Sequence, residues 1–271
     1  MSMEIIAGYY TDKGQTKKIN QDSLGIRIVD SPQGKIAFAI ICDGMGGLQQ
    51  GELASKEMVI ALNNWFATEF AQMIEQDEFS ARNLVNQWEA LIIAANKRIS
   101  EYAEEHRMMM GTTVSALLIY KEKYYVCHVG DSRIYEIGKD IWQVTEDHTL
   151  VALEVKLGKL TPEQAKKDTR RNILLQCVGA SEKVEPQFAC GAIEEDTTFL
   201  LSSDGLVHEI SEEELYQTFK PQKIKHQQKA DEKCEAVTRL VMERGERDNV
   251  SVIALVVKKS AKEHSRQKGT Q

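Results

Sequence analysis

The 271-residue sequence contains no CxxC pair, no HxH or HExxH spacing, and no stretch near the ~20 apolar residues of a membrane span. The first absence removes zinc ribbons and thioredoxin-like chemistry. The second makes zinc a less favoured metal than the oxygen-seeking ions. Only four prolines occur, so the proline-rich linkers that separate domains are missing and one domain with a short tail is expected. Positive charge is not in excess. A net charge of −7 argues against a general binder of nucleic acid or membrane surface, and any phosphate site must find its positive charge locally, from bound cations for example. Residues 1–8 hold no basic segment followed by an apolar core, so no secretory leader is expected. The five cysteines (Cys42, Cys127, Cys177, Cys190, Cys234) are widely spaced and odd in number, as fits free thiols in a reducing cytosol. A soluble, cytoplasmic protein is the expectation.

What is present has two textures. Residues 35–42 (KIAFAIIC) form a short apolar run that ends at Asp43-Gly44 and reads as a buried strand. Over 51–70 the apolar residues Ala54, Met58, Ala61, Leu62 and Trp65 recur at helical spacing. A second helix starts at Ser80 and aligns Leu84, Trp88, Leu91, Ala95, Ile99 and Tyr102, with a loop around 75–78 between the two. After Gly111 the period changes to two: 112–120, 124–129 and 133–137 read as consecutive strands, the last pair turned by Gly130-Asp131-Ser132. Residues 147–172 are polar and helical in part, with Thr161-Pro162-Glu163 as a helix start. A strand at 198–202 runs into Asp204-Gly205. Ser211 and Glu214 make a capping-box pattern, 233–244 a final helix, and 250–257 a closing strand. No repeat interrupts this order. It lacks regular βα alternation, which favours antiparallel sheets covered by helices.

One pattern recurs at the strand ends. Asp43, Asp131 and Asp204 each follow an apolar strand and sit in a glycine-containing turn, while Asp248 stands just before the closing strand. Any one alone is ordinary turn chemistry. Together, carboxylates on the rigid ends of several strands can converge, and hard ions such as Mg²⁺ and Mn²⁺ take oxygen ligands of this kind. A backbone carbonyl at Gly44 can add to the set. The chemistry implied is metal-assisted hydrolysis, in which two ions share, acidify and orient a water.

Seven segments occur in order: GQTKKINQDS (14–23), CDGMGGLQQGE (42–52), MGTT (110–113), HVGDSRIY (128–135), TEDHTL (145–150), SSDGL (202–206) and RDNVSV (247–252). Through them the chain resembles the protein phosphatase 2C family, the metal-dependent serine/threonine phosphatases, of the bacterial type, over residues 5–257. The resemblance implies an α+β fold: a four-layer αββα sandwich of two antiparallel sheets flanked by helices. It implies a catalytic domain over 1–258 and a polar, disordered tail over 259–271. The implied activity is hydrolysis of phosphoserine and phosphothreonine in proteins by attack of a metal-bridging water or hydroxide. Two to three Mn²⁺ or Mg²⁺ ions serve as cofactors, and substrates of a serine/threonine kinase as partners. Position by position, the bridging metal ligand falls on Asp43, the carbonyl ligand on Gly44, and the other carboxylate ligands on Asp204 and Asp248. Asp131, with Asp204, matches the site of a third ion, and Asp22 the acid that binds or orders metal-bound water.

The pattern departs from the family at three positions. Its phosphate-binding arginine falls on Lys17, a point charge without the guanidinium fork, with Lys18 beside it. A glutamate found in many relatives is Gln21 here. Met45 replaces the histidine that eukaryotic members propose as general acid. Residues 150–172 match a variable flap near the metals. Two other readings were weighed below the enzyme: a catalytically silent module on the same fold, and a phosphatase of small phosphorylated metabolites. The C-x5-R spacing of Cys127 and Arg133 suggests a cysteine phosphatase loop, but Asp131 inside it would repel phosphate, so Cys127 is expected in the core. His148 is expected to make structural hydrogen bonds, Met108 to Met110 to pack beneath the first strands, and His208 to have no role. Lys258, Lys259, Lys262, Arg266 and Lys268 form a basic, solvated tail.

Overall fold

The computed structural model describes residues 3–46 and 50–259. The strands are β1 (Met3–Asp12), β2 (Asp22–Ser31), β3 (Gly34–Gly46), β4 (Met110–Thr112), β5 (Val114–Tyr120), β6 (Lys123–Val129), β7 (Arg133–Ile137), β8 (Ile141–Gln143), β9 (Gln187–Ala192), β10 (Thr197–Ser202) and β11 (Val250–Lys259). One sheet has the order β1-β11-β10-β7-β8; the other has β2-β3-β5-β6-β9, with β4 added to the end of β3. Every pairing is antiparallel.

The apolar runs are continuous because both faces of the central strands are covered. Along β3, Ala37, Ala39 and Ile41 face the other sheet, where Phe199, Leu201, Ile253 and Leu255 meet them beside Leu117 of the adjacent β5. Phe38, Ile40 and Cys42 turn outward under α1 (Gly51–Trp65) and α3 (Ala81–Glu105). Between these helices the first continues through a π turn (Phe66–Phe70) into α2 (Ala71–Glu75). Phe38 is fully buried and its ring stacks on Phe66 at 5.2 Å. Truncating such a side chain costs about 3–5 kcal/mol. Chain order then places α4 (Leu150–Lys156), α5 (Pro162–Lys167), α6 (Asp204–Val207), α7 (Glu212–Phe219) and α8 (Gln227–Glu243). On the far side, Val250, Val252, Ala254 and Val256 of β11 pack with Leu215, Phe219, Cys234, Val237 and Val241 of α7 and α8. The four layers are therefore helix, sheet, sheet, helix, as expected.

Helix starts follow the expected chemistry. Ser80 caps α3 through the Asn83 N–H, and Thr161 and Ser211 form capping boxes at α5 and α7. Cys127 is buried in β6, and burial, with Glu89 nearby, pushes its thiol pKa up, which rules out a reactive thiolate there. Three readings need correction. The closing strand runs on to Lys259, so Lys258 and Lys259 are not solvated tail: Lys259 Nζ donates to the Ile193 carbonyl at 2.6 Å, and Lys258 Nζ donates to Pro221 O. The rest of the tail, with Lys262, Arg266 and Lys268, lies outside the described residues. Of the three methionines, Met110 is buried and Met108 packs on the core, but Met109 is 81% exposed. α8 starts at Gln227 behind a His226 cap, one and a half turns before the expected 233, because Ala230 packs against Gly8 of β1. Among the described residues no helix is long and apolar enough to cross a membrane.

Candidate active site

Pairing of β2 with β3 sets Asp22 directly opposite Asp43, so the two side chains leave the sheet on the same face. The backbone of Asp43 is clamped. Its N–H donates to Thr113 Oγ1 at 2.8 Å, and its carbonyl accepts from the Thr113 N–H at 2.9 Å and from Thr112 Oγ1 at 3.0 Å. Thr113 Oγ1 also meets Ser132 Oγ at 2.7 Å, which ties Asp43 to the turn carrying Asp131. Gly130 in that turn has φ +110°, and a Cβ there would strike Thr113 at 2.5 Å, so glycine alone fits. Gly44 is equally constrained: its N–H donates to the Gln21 carbonyl at 3.1 Å, and a Cβ would lie 2.1 Å from the carbonyl oxygen of Gly51.

The other carboxylates come from the second sheet. β10 ends at Ser202, Ser203 turns the chain, and Asp204 opens α6. Ser203 joins the sheets at this point, since its Oγ donates to Asp22 Oδ2 at 2.9 Å and accepts the Ser251 N–H at 2.9 Å. Asp248 precedes β11, and its Oδ1 lies 2.7 Å from Lys17 Nζ. Asn249 holds the loop that carries Lys17: its Oδ1 accepts the Gln21 N–H at 2.9 Å, while its Nδ2 donates to Lys13 O at 2.8 Å and Ile19 O at 3.2 Å.

All five aspartates reach one end of the sandwich. Asp43 feels the charges of Asp22, Asp204, Asp131 and Asp248. Burial first, then these neighbours, pushes the Asp43 carboxyl well above the usual carboxylate range. Burial raises Asp22 to about 7, with Asp204 and Asp248 adding and the Ser251 and Ser203 hydrogen bonds opposing. Asp131 is raised by burial, then by Asp204 and Asp147, against the opposing charge of Arg133. Burial also raises Asp204, with His208 opposing and Asp248 adding. Lys17 is drawn both ways, since burial lowers its pKa, but Asp248, Asp43 and Asp204 leave it raised. Withdrawn from water and facing like charges, the five acids outnumber the cations beside them among the described residues, Lys17, Arg133 and His208.

The donors fit hard divalent ions. They are oxygens without exception, and Asp22 Oδ1 and Asp204 Oδ1 are buried with no hydrogen-bond partner among the described residues. Gly44 lets its backbone lie close against the start of α1. No three such side chains among the described residues already stand at finished ligand spacing. The fold gathers the acids at one end of the sandwich.

Several groups escaped the sequence reading. Ser203, Asn249, Thr112 and Thr113 lie inside the quoted motifs, yet motif matching gave them no task. His208 sits beside Asp204, one helical turn on, and joins Glu246. The hydrogen bonds expected of His148 are present: its Nδ1 accepts the Gly130 N–H at 3.1 Å and meets Gln176 Nε2 at 2.9 Å. Just beyond it, Leu150 N–H donates to Ile173 O and Leu175 N–H to His148 O, which closes the root of the 150–172 flap.

The family description "Protein phosphatase 2C" matches residues 11–243. The chain is 34% identical over 208 residues to protein phosphatase PhpP of Streptococcus pneumoniae, covering 76% of this chain and 80% of that protein. Its fold superposes on the S. agalactiae serine/threonine phosphatase with TM-score 0.79 and 30% identity, over 93% of this chain and 98% of that one. It also superposes on the catalytic domain of PstP in complex with two manganese ions, with TM-score 0.75 and 26% identity over 95% and 100% of the two chains. A match over most of its length, on a four-layer sandwich that brings Asp22, Asp43, Asp131, Asp204 and Asp248 to one end, means that this chain belongs to the protein phosphatase 2C family.

Proposed function

We propose that this chain hydrolyses phosphoserine and phosphothreonine in protein substrates, opposing a serine/threonine kinase in the cytosol. It is a metal-dependent phosphatase by family. Asp43, the Gly44 carbonyl, Asp204 and Asp248 hold two Mn²⁺ or Mg²⁺ ions, and Asp131 with Asp204 holds a third. When bound, such ions neutralise phosphate charge and lower the pKa of a water for in-line attack. The protein's part is positional. Asp22 is fixed through Oδ2 by Ser203, and its free Oδ1 can accept a hydrogen bond from the water and orient it. Lys17 pairs with Asp248 and draws in the phosphoryl oxygens as a point charge.

The observation that carries this reading is the pair of buried oxygens, Asp22 Oδ1 and Asp204 Oδ1, without a partner among the described residues, within a cluster whose carboxylates outnumber the cations beside them. A silent module would gain nothing from keeping all five acids. Release of phosphate from phosphothreonine peptides in Mn²⁺ or Mg²⁺ tests the proposal. Activity should vanish with chelator and fall about a thousandfold in D204N. Sugar phosphates turned over faster than phosphopeptides would point to a metabolite phosphatase instead.

A further inference from the structure

Asp204 and Asp248 lie 44 residues apart by their numbers, on separate elements. One side-chain pair, a half-buried histidine and a buried glutamate, touches both. Asp204 opens α6 and His208 follows four residues later, so the imidazole lies on the same face as the carboxylate, with Nε2 3.7 Å from Asp204 Oδ2. Its other nitrogen, Nδ1, is 3.0 Å from Glu246 Oε2. Glu246 is 8% exposed and spends its second oxygen on the loop ahead of β11: Oε1 accepts the Arg247 N–H at 2.6 Å and the Asp248 N–H at 2.8 Å. A single carboxylate thus grips the backbone of one aspartate and the ring beside the other.

The chemistry of the pair fixes its orientation. Glu246 accepts three hydrogen bonds, one from the His208 ring and two from the backbone N–H groups of Arg247 and Asp248. An ionised carboxylate only accepts, so Nδ1 carries the hydrogen and donates. Nε2 then faces Asp204 at 3.7 Å, beyond hydrogen-bond range, so the ring acts on that side chain by packing contact. The other charged group near the ring is Arg171, from the end of the flap.

Resting on the phosphatase reading above, we infer that the His208–Glu246 pair is a positioning device for the metal centre, which holds Asp204 and Asp248 in mutual register so that one ion can use both. Neither residue touches substrate or the reacting atoms. Groups that orient metal ligands in this way contribute about 10–100-fold to metal affinity. The sequence hides the pair, because only the packing of α6 against the loop before β11 brings residues 208 and 246 together.

Calorimetric titration of the full chain with Mn²⁺, without substrate, tests the inference. H208L removes the bond to Glu246, while H208N offers a side-chain N–H in the place of Nδ1–H. Affinity for Mn²⁺ should fall about 10–100-fold in H208L and recover largely in H208N, with the same number of ions bound at saturation. At saturating Mn²⁺, kcat on a phosphopeptide should return towards the wild-type value in both, since binding and not chemistry is impaired. Wild-type affinity in H208L would overturn the inference, and so would H208N binding as weakly as H208L. If H208L fails to fold by circular dichroism, E246Q decides: it must weaken Mn²⁺ binding, and unchanged affinity overturns the claim. A wild-type chain that binds no Mn²⁺ would sink the metal-dependent reading and this inference with it, whereas binding that the variants leave unchanged sinks the inference alone.

Discussion

Asp147 and the acids Asp43, Asp131 and Asp204 are all drawn away from water, and the protein handles them in opposite ways. Asp147 is fully answered. Arg133 reaches it with Nε at 2.9 Å and Nη2 at 2.6 Å, Gln143 Nε2 adds a third bond at 3.0 Å, and Tyr135 OH takes the spare guanidinium N–H at 3.0 Å. Asp43, Asp131 and Asp204 have no such cation and press on one another, with carboxyls raised by burial and mutual repulsion. A buried acid with a bidentate arginine is finished structure. Buried acids that outnumber the cations beside them are stable when further cations come from outside. The difference separates scaffold from site without reference to any relative.

The contrast can be attacked from the scaffold side. R133M leaves Asp147 without its partner and should destabilise the fold by about 3 kcal/mol in urea denaturation, with or without Mn²⁺. Loss of activity with unchanged stability would place Arg133 in the site instead. Beside this pair, His128 shows a third solution, burial in the neutral form. Its ring meets Ser115 Oγ at 2.8 Å, Gly130 O at 3.0 Å and Glu146 O at 3.1 Å, and burial, aided by His148, pushes its pKa down to about 4. The unfolded chain therefore takes up this proton first. The contribution of His128 is complete above the ordinary value of 6.5, drains as pH falls, and levels off below about 4. The loss should be on the order of 3 kcal/mol, seen as a stability difference between pH 7 and pH 4 that shrinks in H128Q. A pH-independent difference between the two proteins would contradict this.

The smallest expected effect concerns the one cation that does reach the acids. Lys17 is 41% exposed and bonds Asp248 as a point charge. K17M should raise KM for a phosphopeptide about tenfold, roughly 1.4 kcal/mol. K17R should lower KM below the wild-type value, because a guanidinium can grip two phosphate oxygens at once. If neither substitution moves KM, the lysine serves Asp248 alone.

The order of elements was legible wherever burial is two-sided. β3, β5, β6, β10 and β11 carry apolar runs because sheet and helix cover them from opposite faces. β2 and β9 were not recognised, since edge strands with half-exposed faces leave no such run. β1 was missed as well: its burial is irregular, and Gly8 breaks the pattern to admit Ala230. The candidate ligands could be read because a strand-end aspartate beside glycine is a local signal. Ser203 and Asn249 were visible only as parts of motifs. His208 and Glu246 were invisible, since nothing within either segment announces a partner 38 residues away.

Thermal denaturation of wild type and D204N, each with and without Mn²⁺, bears most directly on the claim that these acids await cations. Wild type should gain about 2.7 kcal/mol when free Mn²⁺ is 100 times its dissociation constant, and D204N should gain far less. Without metal, D204N should melt no lower than wild type, because the change removes one of several mutually repelling acids. A wild-type melting point indifferent to Mn²⁺, or a metal-free D204N that unfolds well below it, would show that Asp204 is scaffold in the manner of Asp147 and would contradict the account.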